Sequence, residues 1–135
     1  MNNLATCCAD VGSVKGGNFG WCGLRPGTKP VLGVEIEQFA EFIAASLRDG
    51  IKVAVGFECP LFVPVRDEPL RLAMARSGEG NRSWSAAAGC GVLATGLVEV
   101  IWTLSHVKKI LGAAPTPFLD WQKFITSESG VFFWA

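Results

Sequence analysis

Short apolar runs separated by turn residues dominate the first third of the chain. Residues 4–9 form one such run, which stops at Asp10, and residues 19–24 form a second. The glycine-rich segment 11–18 lies between them, so the pattern predicts a β-hairpin with a glycine-rich connection. Residues 30–34 are rich in valine and leucine and predict a third, short strand.

The next segment changes from strand to helical periodicity and back. In residues 35–49, apolar positions recur on one helical face, acidic residues lie early, and Gly50 follows as a stop signal. Residues 51–57 are almost entirely apolar and predict a buried strand that ends at Glu58. A helix that leads directly into a buried strand favours parallel pairing, and therefore an α/β fold.

The second half is less regular. Residues 69–75 predict one short helix in a polar segment, and residues 84–104 form a long apolar stretch whose single charge is Glu99. Its small residues favour a buried helix packed closely on a sheet, extending towards residue 111, while its length leaves a membrane span as the alternative. Residues 118–125 carry strand-like residues, and residues 131–134 form a final apolar run.

Composition narrows the class of protein. The length of 135 residues suits a single domain, 1–135, and an apolar half is enough to build a core. Acidic and basic residues balance at 12 each, so no overall electrostatic footprint for nucleic acid exists, and metal ions would have to supply positive charge towards a polyanion. With no secretory signal and an odd number of cysteines, we expect a soluble, cytoplasmic protein whose thiols are reduced and mostly buried.

Asp10 and Glu58 are the first candidate functional residues, because each directly follows a strand-like run. In open α/β sheets, sites form beyond the carboxyl ends of strands. Two carboxylates meeting there repel each other unless a cation lies between them, and Mg²⁺ or Mn²⁺ suits oxygen ligands. The alternative is that Asp10 caps the turn through Gly12 and that Glu58 pairs with an arginine. The residues alone leave both open.

A second candidate group is a set of arginines near a glycine-rich loop. Arg76 and Arg82 flank residues 77–81, which include Glu79, and Arg66 and Arg71 precede them. Guanidinium groups match phosphate geometry, and glycines let backbone N–H groups approach an anion. The alternative is a solvated loop with internal ion pairs.

Three sequence motifs resemble those of a known protein family, which is more specific than the spacing of single residues. They are residues 10–15 (DVGSVK) with 18–21 (NFGW), residues 56–61 (GFECPL), and residues 75–86 (ARSGEGNRSWSA) with 94–97 (ATGL). They resemble motifs of a family of predicted nucleases catalogued as domain of unknown function 429, and the similarity extends to about residue 125.

That resemblance implies a ribonuclease-H-like fold, a five-stranded mixed sheet flanked by helices, with acidic residues on adjacent strands. It implies Asp10 and Glu58 as the catalytic, metal-binding carboxylates. Relatives tend to carry a glutamate where this chain has Gln122. Asp120 and Glu128 are the candidates for a third acidic ligand.

The leading hypothesis is a nuclease that depends on Mg²⁺ or Mn²⁺, held by Asp10 and Glu58, with Arg76 and Arg82 binding a phosphate of the nucleic acid. One alternative is a non-catalytic nucleotide- or protein-binding module of the same fold. Another is a homodimeric scaffold joined through the apolar residues 131–134. A C-terminally shortened family member also fits this apolar end, and no membrane partner is expected.

Overall fold

Over the residues that the structure describes, the fold is one sheet of six strands with three α-helices. The computed structural model describes residues 3–61, 63, 65–75, 78, 80–86 and 89–134. The strands are β1 (Leu4–Asp10), β2 (Gly20–Leu24), β3 (Val31–Gly33), β4 (Lys52–Phe57), β5 (Pro117–Phe118) and β6 (Val131–Trp134). The helices are α1 (Ile36–Arg48), α2 (Gly89–Leu111) and α3 (Trp121–Thr126).

The strand order is β3-β2-β1-β4-β6-β5, and the sheet is mixed. β1, β2 and β3 pair antiparallel, as the predicted hairpin and third strand require. β4 pairs parallel with β1 on one side and with β6 on the other, and β5 is parallel to β6. The predicted α/β class and mixed sheet are therefore confirmed.

The hydrophobic core lies between the sheet and α1. Alternate residues of β1 are buried, and their β4 partners are buried beside them, as in the pair Cys7 and Val55. Phe39 and Ile43 of α1 pack onto this face, with exposed fractions of 0% and 1%. The predicted apolar face of the helix is thus the face that builds the core.

Among the described residues, the opposite face of the sheet is covered at only one end. There, α3 places Phe124 against Phe132 of β6, with ring centroids 5.5 Å apart and planes inclined by 28°. Trp121 packs edge-on against the same Phe132 ring at 5.2 Å. Towards β1 and β2, residues such as Thr6 and Leu24 are exposed. This part of the sheet is called the open face below.

Lys52 anchors α3 to the sheet. Its Nζ donates hydrogen bonds to the carbonyl oxygens of Phe124, Ile125 and Ser127 at 3.3, 2.9 and 3.0 Å. The ammonium also lies 5.3 Å from the centroid of the Phe124 ring. A positive charge at the carboxyl end of a helix compensates carbonyls that have no helical partner. One side chain of β4 therefore secures the cover over β6.

α2 departs from the predicted buried helix. It packs along α1 through one stripe that includes Gly96, Val100 and Val107, while Val98 and Ile101 are exposed by 69% and 63%. By its length and apolar composition alone, α2 could also cross a membrane, which was the alternative interpretation of this segment. Its small residues do allow close approach, because a side chain at Gly96 would overlap Cys59.

Three further predictions require correction. Residues 118–125 are mostly helical rather than extended, because Asp120 caps α3 and only Pro117–Phe118 form a strand. Within residues 69–75, only a 3-10 turn over Pro69–Arg71 forms. The cysteines are not mostly buried; two are buried and three are exposed, and all five are free thiols. The buried ones are Cys7 and Cys59, and the exposed ones are Cys8, Cys22 and Cys90.

The final apolar run is used inside the sheet. β6 lies between β4 and β5, with Val131 buried and Phe132 and Phe133 partly buried. Trp134 is exposed by 39%. The hypothesis of a dimer joined through this run therefore depends chiefly on Trp134.

We expect Lys52→Met to destabilise the fold by about 2 kcal/mol, because charge-assisted hydrogen bonds to three carbonyls are lost. Urea unfolding measures the change, and Lys29→Met, at an exposed loop position, is the matched control. The control should differ from wild type by less than about 0.5 kcal/mol. Equal losses in both variants would show that Lys52 does not anchor α3.

Candidate functional site at the carboxyl ends of β1 and β4

Asp10 and Glu58 lie side by side at one edge of the sheet. Asp10 is the last residue of β1, and Glu58 directly follows β4. The parallel register pairs Ala9 with Phe57, and the Glu58 N–H donates to the Ala9 carbonyl at 2.8 Å. Neighbouring strands lie about 4.8 Å apart, so the two side chains start from adjacent positions.

Both carboxylates belong to the open face rather than the core. Alternate residues of β1 are exposed, and Asp10 follows Thr6 and Cys8 in this series. Glu58 is also exposed. Burial raises the pKa of the Cys8 thiol, and the negative charge of Glu58 raises it further, so Glu58 also faces this side. The acidic pair is therefore accessible to solvent and ligands.

The loop after Asp10 is held by a serine rather than by the aspartate. Ser13 Oγ accepts a hydrogen bond from the Gly16 N–H at 3.0 Å, and the Asn18 N–H donates to the Ser13 carbonyl at 3.0 Å. Gly17 has φ +71°, a conformation that favours glycine. The Gly12 Cα lies so close to the Asn18 carbonyl that a side chain would not fit. These contacts supply the turn that the alternative reading assigned to Asp10.

The structure describes three of the four candidate arginines, Arg66, Arg71 and Arg82. Arg82 is exposed in a bend after Gly80, which has φ +66°, while Arg76 and Glu79 lie outside the described residues. Arg66 donates to the Ala75 carbonyl at 3.1 Å. Of the arginines that the structure describes, none forms an ion pair with Glu58, and Arg71 pairs with its neighbour Glu68 at 2.9 Å. A phosphate role for Arg76 and Arg82 stays a prediction.

Glu99 is an acidic residue near this edge that sequence reasoning did not select as a site residue. It lies on α2, is exposed by only 5%, and its Oε2 atom has no hydrogen-bond partner within the described part of the chain. Burial raises its pKa, and a hydrogen bond from the Gly12 N–H opposes that rise. The sequence did contain a signal for this residue, because Glu99 is the one charged residue in the long apolar stretch 84–104.

Glu99 and the acidic pair lie on different sides of the same edge. Glu99 faces Cys59 and Gly12 on the helix side, whereas Asp10 and Glu58 belong to the open face. Burial, and then the charge of Glu99, raises the pKa of the Cys59 thiol to about 11. Cys59 is therefore a poor nucleophile at neutral pH, as a neighbouring carboxylate would predict.

Asp120 has a structural role. Its carboxylate accepts a hydrogen bond from the Lys123 N–H at 3.1 Å and so caps α3. The preceding strand, β5, lies at the sheet edge, with β6 and β4 between it and β1. Glu128 is exposed at the opposite, Lys52 end of the sheet, where it lines a cavity of about 410 Å³ together with Asn3 and Lys52. Neither residue joins the acidic pair.

No group of three or more His, Cys, Asp or Glu side chains arranged for a metal ion occurs in the parts of the chain that the structure describes. Asp10 and Glu58 are thus two candidate ligands without a third such side chain among the described residues. Two carboxylates are a sufficient protein contribution for Mg²⁺, which usually keeps several waters.

Comparison of the chain with protein-family models, with curated proteins and with solved structures finds no significant match in any of the three. The class that the fold and the site define is a small α/β domain with an acidic pair at the carboxyl ends of adjacent parallel strands. The resemblance to the family of predicted nucleases stays a prediction.

We expect Glu99→Gln to stabilise the protein at pH 7. A glutamate has a pKa of about 4.3 in the unfolded chain, and burial raises the pKa of Glu99 in the fold. The native state therefore holds this proton more tightly, and stability falls as the pH rises above about 4.3. Urea unfolding should show the variant more stable than wild type at pH 7 and a smaller difference at pH 4. The control Glu37→Gln, exposed on α1, should show no such pattern; an unchanged midpoint in Glu99→Gln at both pH values contradicts the assignment.

Asp120→Ala should lower stability by about 1 kcal/mol, because α3 loses its N-cap. It should leave Mn²⁺ binding unchanged, since the residue is remote from Asp10 and Glu58. Thermal unfolding and calorimetric titration measure the two effects on the same preparation. Loss of Mn²⁺ affinity in this variant would restore Asp120 as a ligand.

Proposed function

We propose that this chain is a ribonuclease-H-like domain that binds a divalent cation at Asp10 and Glu58 and hydrolyses phosphodiester bonds of nucleic acid. The observation that carries the proposal is the parallel register of β1 and β4, which sets the two carboxylates side by side at one sheet edge. A site beyond the carboxyl ends of adjacent strands is the usual position in α/β sheets.

The fold supports the finer assignment. The family resemblance implies a five-stranded mixed sheet with acidic residues on adjacent strands. Apart from β5, which has two residues at the sheet edge, the strands in the described part of the chain number five and form a mixed sheet. Helices lie on both faces, with α1 over the core and α3 over β6.

The charge balance supports a role for the cation. The chain has equal numbers of acidic and basic residues, and its acidic pair alone would repel a phosphate. A bound Mg²⁺ or Mn²⁺ would polarise a phosphoryl oxygen and lower the pKa of bound water. Asp10 and Glu58 would hold the ion on the open face, where a polymer can approach. Arg76 and Arg82 would hold a neighbouring phosphate, since guanidinium groups match its oxygens.

Calorimetric titration of Mn²⁺ into wild type, Asp10→Asn and Glu58→Gln tests the site. We expect both variants to lose affinity at least about ten-fold, because each removes one charged ligand. Glu37→Gln, which is exposed on α1, should bind as wild type does. Equal binding by wild type and Asp10→Asn, or no binding by any form, argues against the site.

Hydrolysis of single- and double-stranded DNA and RNA, each with Mn²⁺ and with chelator, then tests the reaction. We expect cleavage only with the metal, and none by Asp10→Asn. Metal binding without cleavage of any substrate would keep the site and reject the nuclease.

A non-catalytic binding module is the second candidate. It is favoured by the two-carboxylate site, since the described residues bring no third ligand to it, and by Gln122 in place of the glutamate of relatives. This candidate predicts that nucleotide or nucleic-acid binding persists in chelator. A cytoplasmic location suits either function and stays a prediction.

A further inference from the structure

Two cysteines face each other on the open face of the sheet. Cys8 of β1 and Cys22 of β2 are direct partners in the antiparallel register. Each is one of the alternate residues of its strand that are exposed, and both are free thiols. Strand pairing thus brings two accessible thiols together from positions distant along the chain.

The geometry of the pair suits a disulfide. Directly opposed residues of antiparallel strands have Cα atoms about 4.5 or 5.5 Å apart, depending on the hydrogen-bonding position. Both separations lie in the range of about 4.4–6.8 Å that disulfides span.

The other cysteines are not arranged to compete. Cys7 points into the core with 3% exposure, and Cys59 is covered by α2 with 6% exposure. Cys90 is exposed, but it lies at the start of α2 and its thiol contacts the Ser85 carbonyl at 3.4 Å. Cys8 and Cys22 are therefore the one pair of exposed thiols that the sheet register holds together.

We propose that Cys8 and Cys22 are a reversible dithiol–disulfide site, oxidised by exchange with low-molecular-weight disulfides such as glutathione disulfide. One protein thiolate attacks a sulfur of the small disulfide, so that a mixed disulfide forms and one small thiol leaves. The second protein thiolate attacks the protein sulfur of the mixed disulfide, and the second small thiol leaves. Two protein thiols become one disulfide, and the small disulfide takes up the two electrons and two protons as two thiols.

The disulfide would tie β1 to β2 directly beside the acidic pair. The next pair of these two strands on the same face is Asp10 with Gly20, and Glu58 directly follows the neighbouring strand β4. Cross-linking the hairpin closes a short loop and restricts the unfolded chain, so the oxidised form should resist unfolding better than the reduced form. The site requires no metal, and its test is separate from the Mn²⁺ titration.

The experiment equilibrates the whole chain with glutathione buffers of increasing oxidation and follows it by intact-mass and peptide mass spectrometry. We expect one monomeric product that lacks two hydrogens, with the peptides of Cys8 and Cys22 linked. Dithiothreitol should restore both thiols. The oxidised form should also unfold at a higher urea concentration.

Matched serine variants separate this pair from general thiol oxidation. Cys8→Ser should keep one bound glutathione on Cys22 and form no internal disulfide, because the resolving thiol is gone. Cys90→Ser, which removes the remaining exposed thiol, should oxidise as wild type does. Separate glutathione adducts on Cys8 and Cys22, linkage of either to another cysteine, or a disulfide only between two copies would each overturn the proposal.

Discussion

The parallel pairing of β1 with β4 is the contact on which the rest of the structure depends. It joins the N-terminal antiparallel hairpin to the parallel half of the sheet, and both halves share one core face. The same register determines that Asp10 and Glu58 end at one edge, since the Glu58 N–H continues the ladder to the Ala9 carbonyl. A shift by one residue would move either side chain to the opposite face and separate the pair.

The unequal covering of the two sheet faces explains where chemistry is available. On the helix side, burial raises the pKa of Glu99 and of Cys59, because it disfavours the charged form of each group. On the open face, Asp10 and Glu58 remain solvated and Cys8 and Cys22 remain accessible. Groups that lie close together along the chain, such as Glu58 and Cys59, therefore have different chemistry because they face different surroundings.

The same side of the sheet is closed near β6, beyond the open face, by aromatic packing and one charge. Phe124 and Trp121 of α3 lie against Phe132, and Lys52 binds the carbonyls at the end of that helix. Trp134 lies across Gly56, where a side chain on β4 would overlap its ring. The small residue on β4 and the large one on β6 thus let the cover reach towards β1 without burying the acidic edge.

The sequence by itself determined the local elements of the first half. Alternation and apolar runs predicted the first four strands, α1 and the strand ends at Asp10 and Glu58, because these signals depend on near neighbours and on burial of one side. It also indicated an α/β class, since a helix that leads into a buried strand is typical of the crossover that parallel strands require. The family resemblance implied the same two carboxylates.

Only the tertiary structure decided the partners and the faces. Residues 118–125 have strand-like composition, yet most of them form α3, which Asp120 caps. The packing of Phe124 on Phe132 outweighs the local strand propensity there. Glu99 became buried because α2 packs along α1 through one stripe and leaves its other sides exposed. Cys8 and Cys22 met because strand register, which depends on contacts between distant segments, cannot be read from either strand alone.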